Sequence, residues 1–253
     1  MNTAPASTRI PSHWIAPAWP APPQVRGVIT TRAGGASRGA FKSFNLGAHV
    51  GDDALAVERN RRELRRYLPS EPLWMHQVHG VRVIDADTVS AETEADGAIA
   101  RSARRVLAVL TADCLPVLLC DDEGTVVGIA HAGWRGLAAG VIESVVSAMR
   151  VAPERVLAYI GPGIGATAYE VGQEVREAFV AQGADAAQAF RPREGGKYLA
   201  DLRLLAKQRL RRIGVARVHA SAHCTYADEK TFFSFRRDGT TGRIASLIWI
   251  EED

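Results

Sequence analysis

Cysteine, lysine and long apolar runs are all scarce in this chain of 253 residues. Its three cysteines, Cys114, Cys120 and Cys224, are odd in number and widely spaced, which excludes the disulfide framework of a small secreted domain. They suit a reducing compartment, where thiols stay free for metal binding or catalysis. No apolar run reaches the ~18 residues of a membrane span. Residues 1–23, MNTAPASTRIPSHWIAPAWPAPP, lack the continuous apolar segment of a secretory signal, so the expected location is the cytoplasm. That segment holds six of the 12 prolines and reads as a loose tail followed by an extended arm. Only four lysines stand beside 27 arginines, and the net charge is +3. The excess is small and dispersed, which reads as coding bias. A nucleic-acid binder would concentrate its charge on one element, so neither a nucleic-acid nor a membrane partner is expected.

What remains is ordinary globular composition, with 47% hydrophobic and 23% charged residues. A chain of this length can bury a sizeable core. Residues 25–31 read as a strand, as do 81–85, 106–110, 115–120, 125–130, 156–160 and the terminal SLIWI. Residues 54–67, 137–150, 171–182 and 199–213 read as helices. In the first helix, Val57, Leu64 and Tyr67 supply an inner stripe, and five of the eight residues from Arg59 to Arg66 are arginine, a solvated face. Interleaved strands and helices argue for an α/β domain built on a mixed β-sheet flanked by helices. The links within 106–130 are too short for helical crossovers, so part of the sheet is antiparallel. No linker divides the chain, and residues 24–253 are expected to form one domain behind the arm.

Chemistry gathers at strand ends, where an α/β scaffold builds its sites. His79 stands in MHQVHG, Cys114 in TADCLP and His131 in AHAGWRG. Taken singly, each reads as an ordinary hydrogen-bonding or core residue. Together, two imidazoles and a thiolate would suit zinc and leave a fourth position open for water or substrate. The spacings of 35 and 17 residues exclude a zinc finger or ribbon. In HAGWRGLAAG, Gly133 and Gly136 are expected to permit a tight strand-to-helix turn, with the helix N-terminus and Arg135 offering an anion site. GPGIGA at 161–166 mimics a dinucleotide fingerprint. However, Pro162 interrupts it and the helical pattern begins only near Val171, which argues against NAD or FAD. Near the C-terminus, Arg236, Arg237 and Arg243 could line an anionic pocket walled by Phe232, Phe233 and Phe235.

The ordered motifs ITTRAGGAS, FNLGAHVGDD, HQVHG, ADGAIA, TADCLPVLL, HAGWRG, IGPGIGATAYEVGQEV and FFSFRRDGTTGR resemble the YfiH family, over about residues 24–250. That family is also labelled laccase-like multicopper polyphenol oxidoreductase, or purine nucleoside phosphorylase of that type. The resemblance implies a cytoplasmic single-domain α/β protein with a layered fold related to a bacterial toxin deamidase. It implies zinc on the residues matching His79, Cys114 and His131. It also implies phosphorolysis of adenosine, inosine, guanosine and methylthioadenosine, deamination of adenosine, and in some members peptidoglycan editing or a copper-dependent phenol oxidase activity. Many relatives carry cysteines where Gly163, Thr167 and Ala168 stand here, which removes any thiol role, including extra copper ligation, from that segment. The paired His-x-His motifs of a true multicopper oxidase are absent too; His76 and His79 lie three apart.

These features frame three expectations. The first is a zinc enzyme, with copper as the alternative metal, acting on a purine nucleoside and phosphate. Arg32 and Arg135 would bind phosphate, and Asp113 would be either an acid/base group or a support for Cys114. The second is a metal-free hydrolase, with Cys114 as nucleophile and His131 as its base. The third, a nucleic-acid binder using the arginine-rich helix, is disfavoured by the dispersed charge. A monomer is expected.

Overall fold

The apolar runs of the sequence become strands buried on both faces. In the computed structural model, which describes residues 10–89 and 93–252, the chain forms β1 (Val25–Ile29), α1 (Ala54–Arg65), β2 (Met75–His76), β3 (Val83–Asp85), β4 (Thr93–Glu94), β5 (Gly97–Ala100), β6 (Leu107–Thr111), β7 (Leu115–Asp121) and β8 (Val127–Ala132). It continues through α2 (Trp134–Ala139), α3 (Val141–Met149), β9 (Val156–Ile160), β10 (Glu170–Val171), α4 (Gln173–Val180), β11 (Phe190–Pro192), β12 (Tyr198–Ala200), α5 (Leu202–Arg212), β13 (Arg217–Ala220), α6 (Phe235–Asp238) and β14 (Ile244–Ile250).

A six-stranded mixed sheet has the order β13-β9-β7-β8-β5-β3. Its centre is antiparallel and its two outermost pairs are parallel. A three-stranded antiparallel sheet, β1-β14-β6, lies against it. Side-chain parity defines the layers, because neighbours along a strand point to opposite faces. In β7, Val117 and Leu119 meet helices α3 and α5, while Leu118 and Cys120 turn to the space between the sheets. In β6, Leu107 and Val109 fill that same space, and Ala108 and Leu110 face α1. The order is therefore helix, sheet, sheet, helices. The α/β class and the mixed sheet agree with the sequence expectation, but where one sheet was expected there are two stacked sheets, with a small β10-β12-β11 sheet and a β2-β4 pair besides. Burial on both faces also explains why these strands read as continuous apolar runs without polar alternation.

The helix expected over 171–182 opens at Gln173 after a strand at Glu170–Val171, and two other helices depart further from expectation. The helix expected over 137–150 is broken at Gly140, whose φ of +105° ends α2 and starts α3. A side chain there would force a left-handed backbone that residues other than glycine rarely adopt. The segment expected as a helix from 199 begins as a strand, and α5 starts only after Asp201, whose carboxylate accepts from the Leu204 amide as an N-cap. The arm packs onto the domain. Trp14 is buried beside Phe44 and Tyr67, and Ile15 exchanges two backbone hydrogen bonds with Ile29 of β1. Residues 1–9 of the expected tail lie outside the described residues. Among the described residues, no helix is long and apolar enough to cross a membrane.

The arginine-rich face of α1 is taken up locally. Arg62 pairs with Glu58 and Arg66 with Glu63. Arg61 donates to the Leu46 carbonyl and lies over Trp74 at 4.3 Å. Asn60, which has no counterpart in the expected inner stripe, is buried and donates to Ser37, Ser43 and Asn45, tying the 31–47 loops to the helix.

Candidate metal centre

Sheet register brings the distant motifs together. Cys114 immediately precedes β7, and β7 pairs with β8 so that Leu115 faces Ala132 and Pro116 faces His131. On the other side of β8, β5 pairs Gly97 with Ala130, which sets Asp96 beside His131. His79 lies in the loop between β2 and β3. The ligand-capable atoms of His79, Cys114 and His131 all lie within 4.8 Å of one another. Cys114 Sγ is 3.8 Å from His79 Nε2, and the two imidazole centroids are 4.7 Å apart.

Asp96 organises this cluster. The residue is fully buried. Its carboxylate accepts the amides of Val78, His79 and Gly80 at 3.1, 2.9 and 2.7 Å. It also meets His131 Nδ1 at 2.7 Å. Binding Nδ1 leaves Nε2 as the atom His131 turns toward Cys114. The three amides wrap the loop around one carboxylate and hold His79 at a φ of +62°, a conformation uncommon for any residue but glycine. Asp96 had a visible signal in the motif ADGAIA, yet an Asp before Gly reads locally as a turn. Its role emerges only when β5 pairs with β8.

Gly133 and Gly136 act differently from expectation. Gly133 has ordinary extended geometry. A Cβ there would come within 2.7 Å of the His79 ring and 2.9 Å of Cys114 Sγ, and one at Gly136 would press on the Gly80 carbonyl at 2.8 Å. These glycines make room for the ligand loop; they are not required for a tight turn. The helix they open, α2, has only six residues.

The cluster is electrostatically coupled. Burial disfavours a Cys114 thiolate, but the His131 charge and the hydrogen bonds from both histidines outweigh it and bring the thiol down to about 6. Burial likewise disfavours a charged His131, and the Cys114 thiolate and the Asp96 hydrogen bond reverse this, raising it to about 9. Asp96 is held below the usual carboxylate range: burial works against it, and the His131 hydrogen bond and the loop amides win.

Asp113, with a φ of +97°, serves the other side of Cys114. Its buried carboxylate accepts the hydroxyls of Thr225 and Ser234 at 2.6 and 3.0 Å and the Arg236 amide at 2.7 Å. The remaining sequence-predicted arginines separate by their partners. All five N–H groups of Arg237 are spent on Thr225, Tyr226 and Phe232 carbonyls and on Asp238, which removes it from the expected anion site. Arg32 donates to the Lys42 and Glu229 carbonyls and lies over Phe233; none of these contacts is to the cluster. Arg135 is exposed and rests over Trp134 at 4.5 Å. Arg236 rests over Tyr169 at 5.1 Å. Arg243 is within electrostatic reach of Cys114 and Asp113. Tyr169, unremarked in the sequence, is within electrostatic reach of Cys114, Arg135 and Arg236, and burial, with the nearby thiolate, keeps its phenol protonated. GPGIGA contains no helix start, since α4 opens at Gln173.

The donor set fits a metal. Tetrahedral coordination at the usual zinc–nitrogen and zinc–sulfur lengths places N and S donors about 3.5 Å apart, close to the 3.8 Å between His79 Nε2 and Cys114 Sγ. A carboxylate on the far nitrogen of one imidazole is the usual support of such a ligand, and Asp96 supplies it.

The chain is similar to known proteins over nearly its whole length. The family model described as multi-copper polyphenol oxidoreductase laccase matches residues 26–251. The chain is 49% identical over 240 residues to a purine nucleoside phosphorylase of Pseudomonas aeruginosa, spanning 94% of this chain and 99% of that one. It is 50% identical over 242 residues to purine nucleoside phosphorylase YfiH of Escherichia coli, with the same coverage. Among solved structures, Neisseria meningitidis protein NMB0706 matches with a TM-score of 0.92 at 47% identity, over 95% of this chain and 100% of that chain. YlmD from Geobacillus stearothermophilus matches with a TM-score of 0.85 at 32% identity, over 91% and 93%. With sequence and fold matching over nearly its whole length, the chain belongs to the YfiH family.

Proposed function

We propose that this chain is a zinc-dependent purine nucleoside phosphorylase, cleaving adenosine, inosine, guanosine or methylthioadenosine with phosphate, and that it also deaminates adenosine. The observation that carries the reading is the convergence of His79, Cys114 and His131 around one point, with Asp96 behind His131. The names of the relatives at about half identity supply the reaction class. Zinc held by those three residues would supply Lewis-acid polarisation; copper is the alternative occupant.

The chain's own residues provide the rest. In phosphorolysis a phosphate oxygen bonds to ribose C1′ as the C1′–N9 bond breaks, and the purine leaves with a proton on nitrogen. Arg135, Arg236 and Arg243 retain unspent N–H donors and can neutralise the phosphate. Arg32, with one N–H on each of two carbonyls, likewise keeps three N–H groups for phosphate. The Tyr169 phenol is available to donate a hydrogen bond to substrate. Asp113, with three donors on its carboxylate, positions the C-terminal segment beside Cys114, the supporting role among the two expected for it. The substrate partners are thus a small nucleoside and phosphate, handled by a cytoplasmic monomer. The test is a product assay with adenosine and inosine, with and without phosphate, alongside metal analysis. Ribose 1-phosphate and free base should form only with phosphate, and inosine should form from adenosine without it. Zinc-loaded protein that makes none of these products removes the reading.

A second reading is favoured by one observation, the lowered Cys114 thiol beside the raised His131. Such a pair is the starting state of a Cys–His hydrolase, including one that edits peptidoglycan precursors. Under that reading iodoacetamide abolishes activity and a chelator does not; under the first, chelator abolishes it and zinc shields Cys114 from alkylation.

A further inference from the structure

Large apolar side chains exposed to solvent are few among the described residues: Leu55, Val78, Val81, Tyr226 and Phe235. Four of the five sit on segments tied directly to the metal cluster. Val78 and Val81 flank His79 and Gly80 in the loop held by Asp96. Tyr226 follows Thr225, and Phe235 stands between Ser234 and Arg236, all three of those neighbours being bound to Asp113. Scattered exposed apolar residues need no explanation, but these four stand on the two segments that the carboxylates of Asp96 and Asp113 hold beside the cluster.

Phe235 is the most exposed aromatic of the group, at 59%. The Ser234 hydroxyl before it and the Arg236 amide after it both bind the carboxylate of Asp113, the residue next to Cys114. The Arg243 guanidinium lies 6.0 Å from its ring centroid, and Arg243 is itself within electrostatic reach of Cys114. A rigidly anchored aromatic ring with a free face, beside cations that suit phosphate, is the arrangement of a stacking platform for a flat heterocycle. We infer that Phe235 binds the purine base of the substrate by stacking, while the arginines take the anionic co-substrate. This inference rests on the nucleoside phosphorylase reading and assigns its base subsite.

The test uses the full-length, zinc-loaded protein. Phe235→Ala should raise the KM for inosine about tenfold, the scale of one lost base–aromatic stack. It should leave the KM for phosphate, the zinc content and kcat near wild type, and Phe235→Tyr should restore the inosine KM. A merely structural role would not confine the change to the nucleoside KM. As a reading independent of turnover, the emission that Phe235→Trp adds over wild type should be quenched by inosine and by free hypoxanthine, and not by ribose 1-phosphate. An unchanged inosine KM in Phe235→Ala overturns the inference, as does emission of Phe235→Trp that ignores both purines. If the wild type turns over no nucleoside, the phosphorylase reading fails on its own, and the quenching titration still decides whether purines stack at Phe235.

Discussion

Two buried carboxylates divide the site between them. Asp96 gathers three loop amides and the His131 imidazole, so everything it holds is a candidate ligand or the backbone beside one. Asp113 gathers two hydroxyls and one amide from the C-terminal segment, so what it holds is the wall that carries Tyr226, Phe235 and Arg236. Under the proposed function, one carboxylate would build the ligand cage and the other the substrate side. The same chemistry, a buried anion satisfied by converging donors, thus does two separable tasks on either side of Cys114. Mutation should separate them.

The largest effect is expected at Asp96. Asp96→Ala leaves three amides and an imidazole N–H without their acceptor, and each buried unmet donor costs about 1–3 kcal/mol. Stability should therefore fall by roughly 3 kcal/mol or more, and metal affinity by about 10–100-fold, the usual cost of losing the support behind a ligand. Chemical denaturation and chelator competition measure the two. The stability gap has a pH signature. Because Asp96 is depressed in the folded state, its contribution is complete above the unfolded carboxylate value of about 3.9 and is lost as pH falls through its lower folded value. The melting temperatures of wild type and Asp96→Ala should converge in strong acid and stay apart near neutrality.

Asp113→Ala should cost less stability, about 2 kcal/mol, since two of its three donors are hydroxyls that can rotate toward other acceptors. It should retain wild-type zinc content while the nucleoside KM rises. Loss of zinc from this variant would collapse the distinction between the two carboxylates. Gly133→Ala is the finest probe. Its methyl would sit within 2.9 Å of Cys114 Sγ and 2.7 Å of the His79 ring. An overpacking penalty of about 1–3 kcal/mol should appear chiefly as weakened metal binding, read by chelator competition, with little change in the nucleoside KM of the loaded enzyme.

The sequence discloses unequal parts of this picture. Runs such as VLAVL, LPVLLC and VLAYI are strands because only strands buried on both faces use such short unbroken apolar stretches. The stacking of two sheets was hidden, because parity along a run of apolar residues assigns no face until its neighbours are known. Strands β5 and β13 escaped notice: GAIA is small and short, and RVHA is half polar. His79, Cys114 and His131 could be nominated from residue type and strand ends, and from the family resemblance, but their convergence depends on the β7–β8 register. Asp96 stood in the motif ADGAIA, but its role could not be read there because its partners lie 16 to 18 positions before it and 35 after it. Arginines looked alike in sequence. Only the partners around Arg237 show that all its N–H groups are already engaged.

The central claim is that one metal, held by His79, Cys114 and His131, supports nucleoside phosphorolysis. Metal content per chain, measured in wild type and Cys114→Ala beside an inosine-plus-phosphate product assay on the same samples, tests it directly. The account predicts about one zinc per wild-type chain with ribose 1-phosphate formed, and neither zinc nor product in Cys114→Ala. Phosphorolysis by metal-free wild type, or full zinc and full turnover in Cys114→Ala, would contradict it.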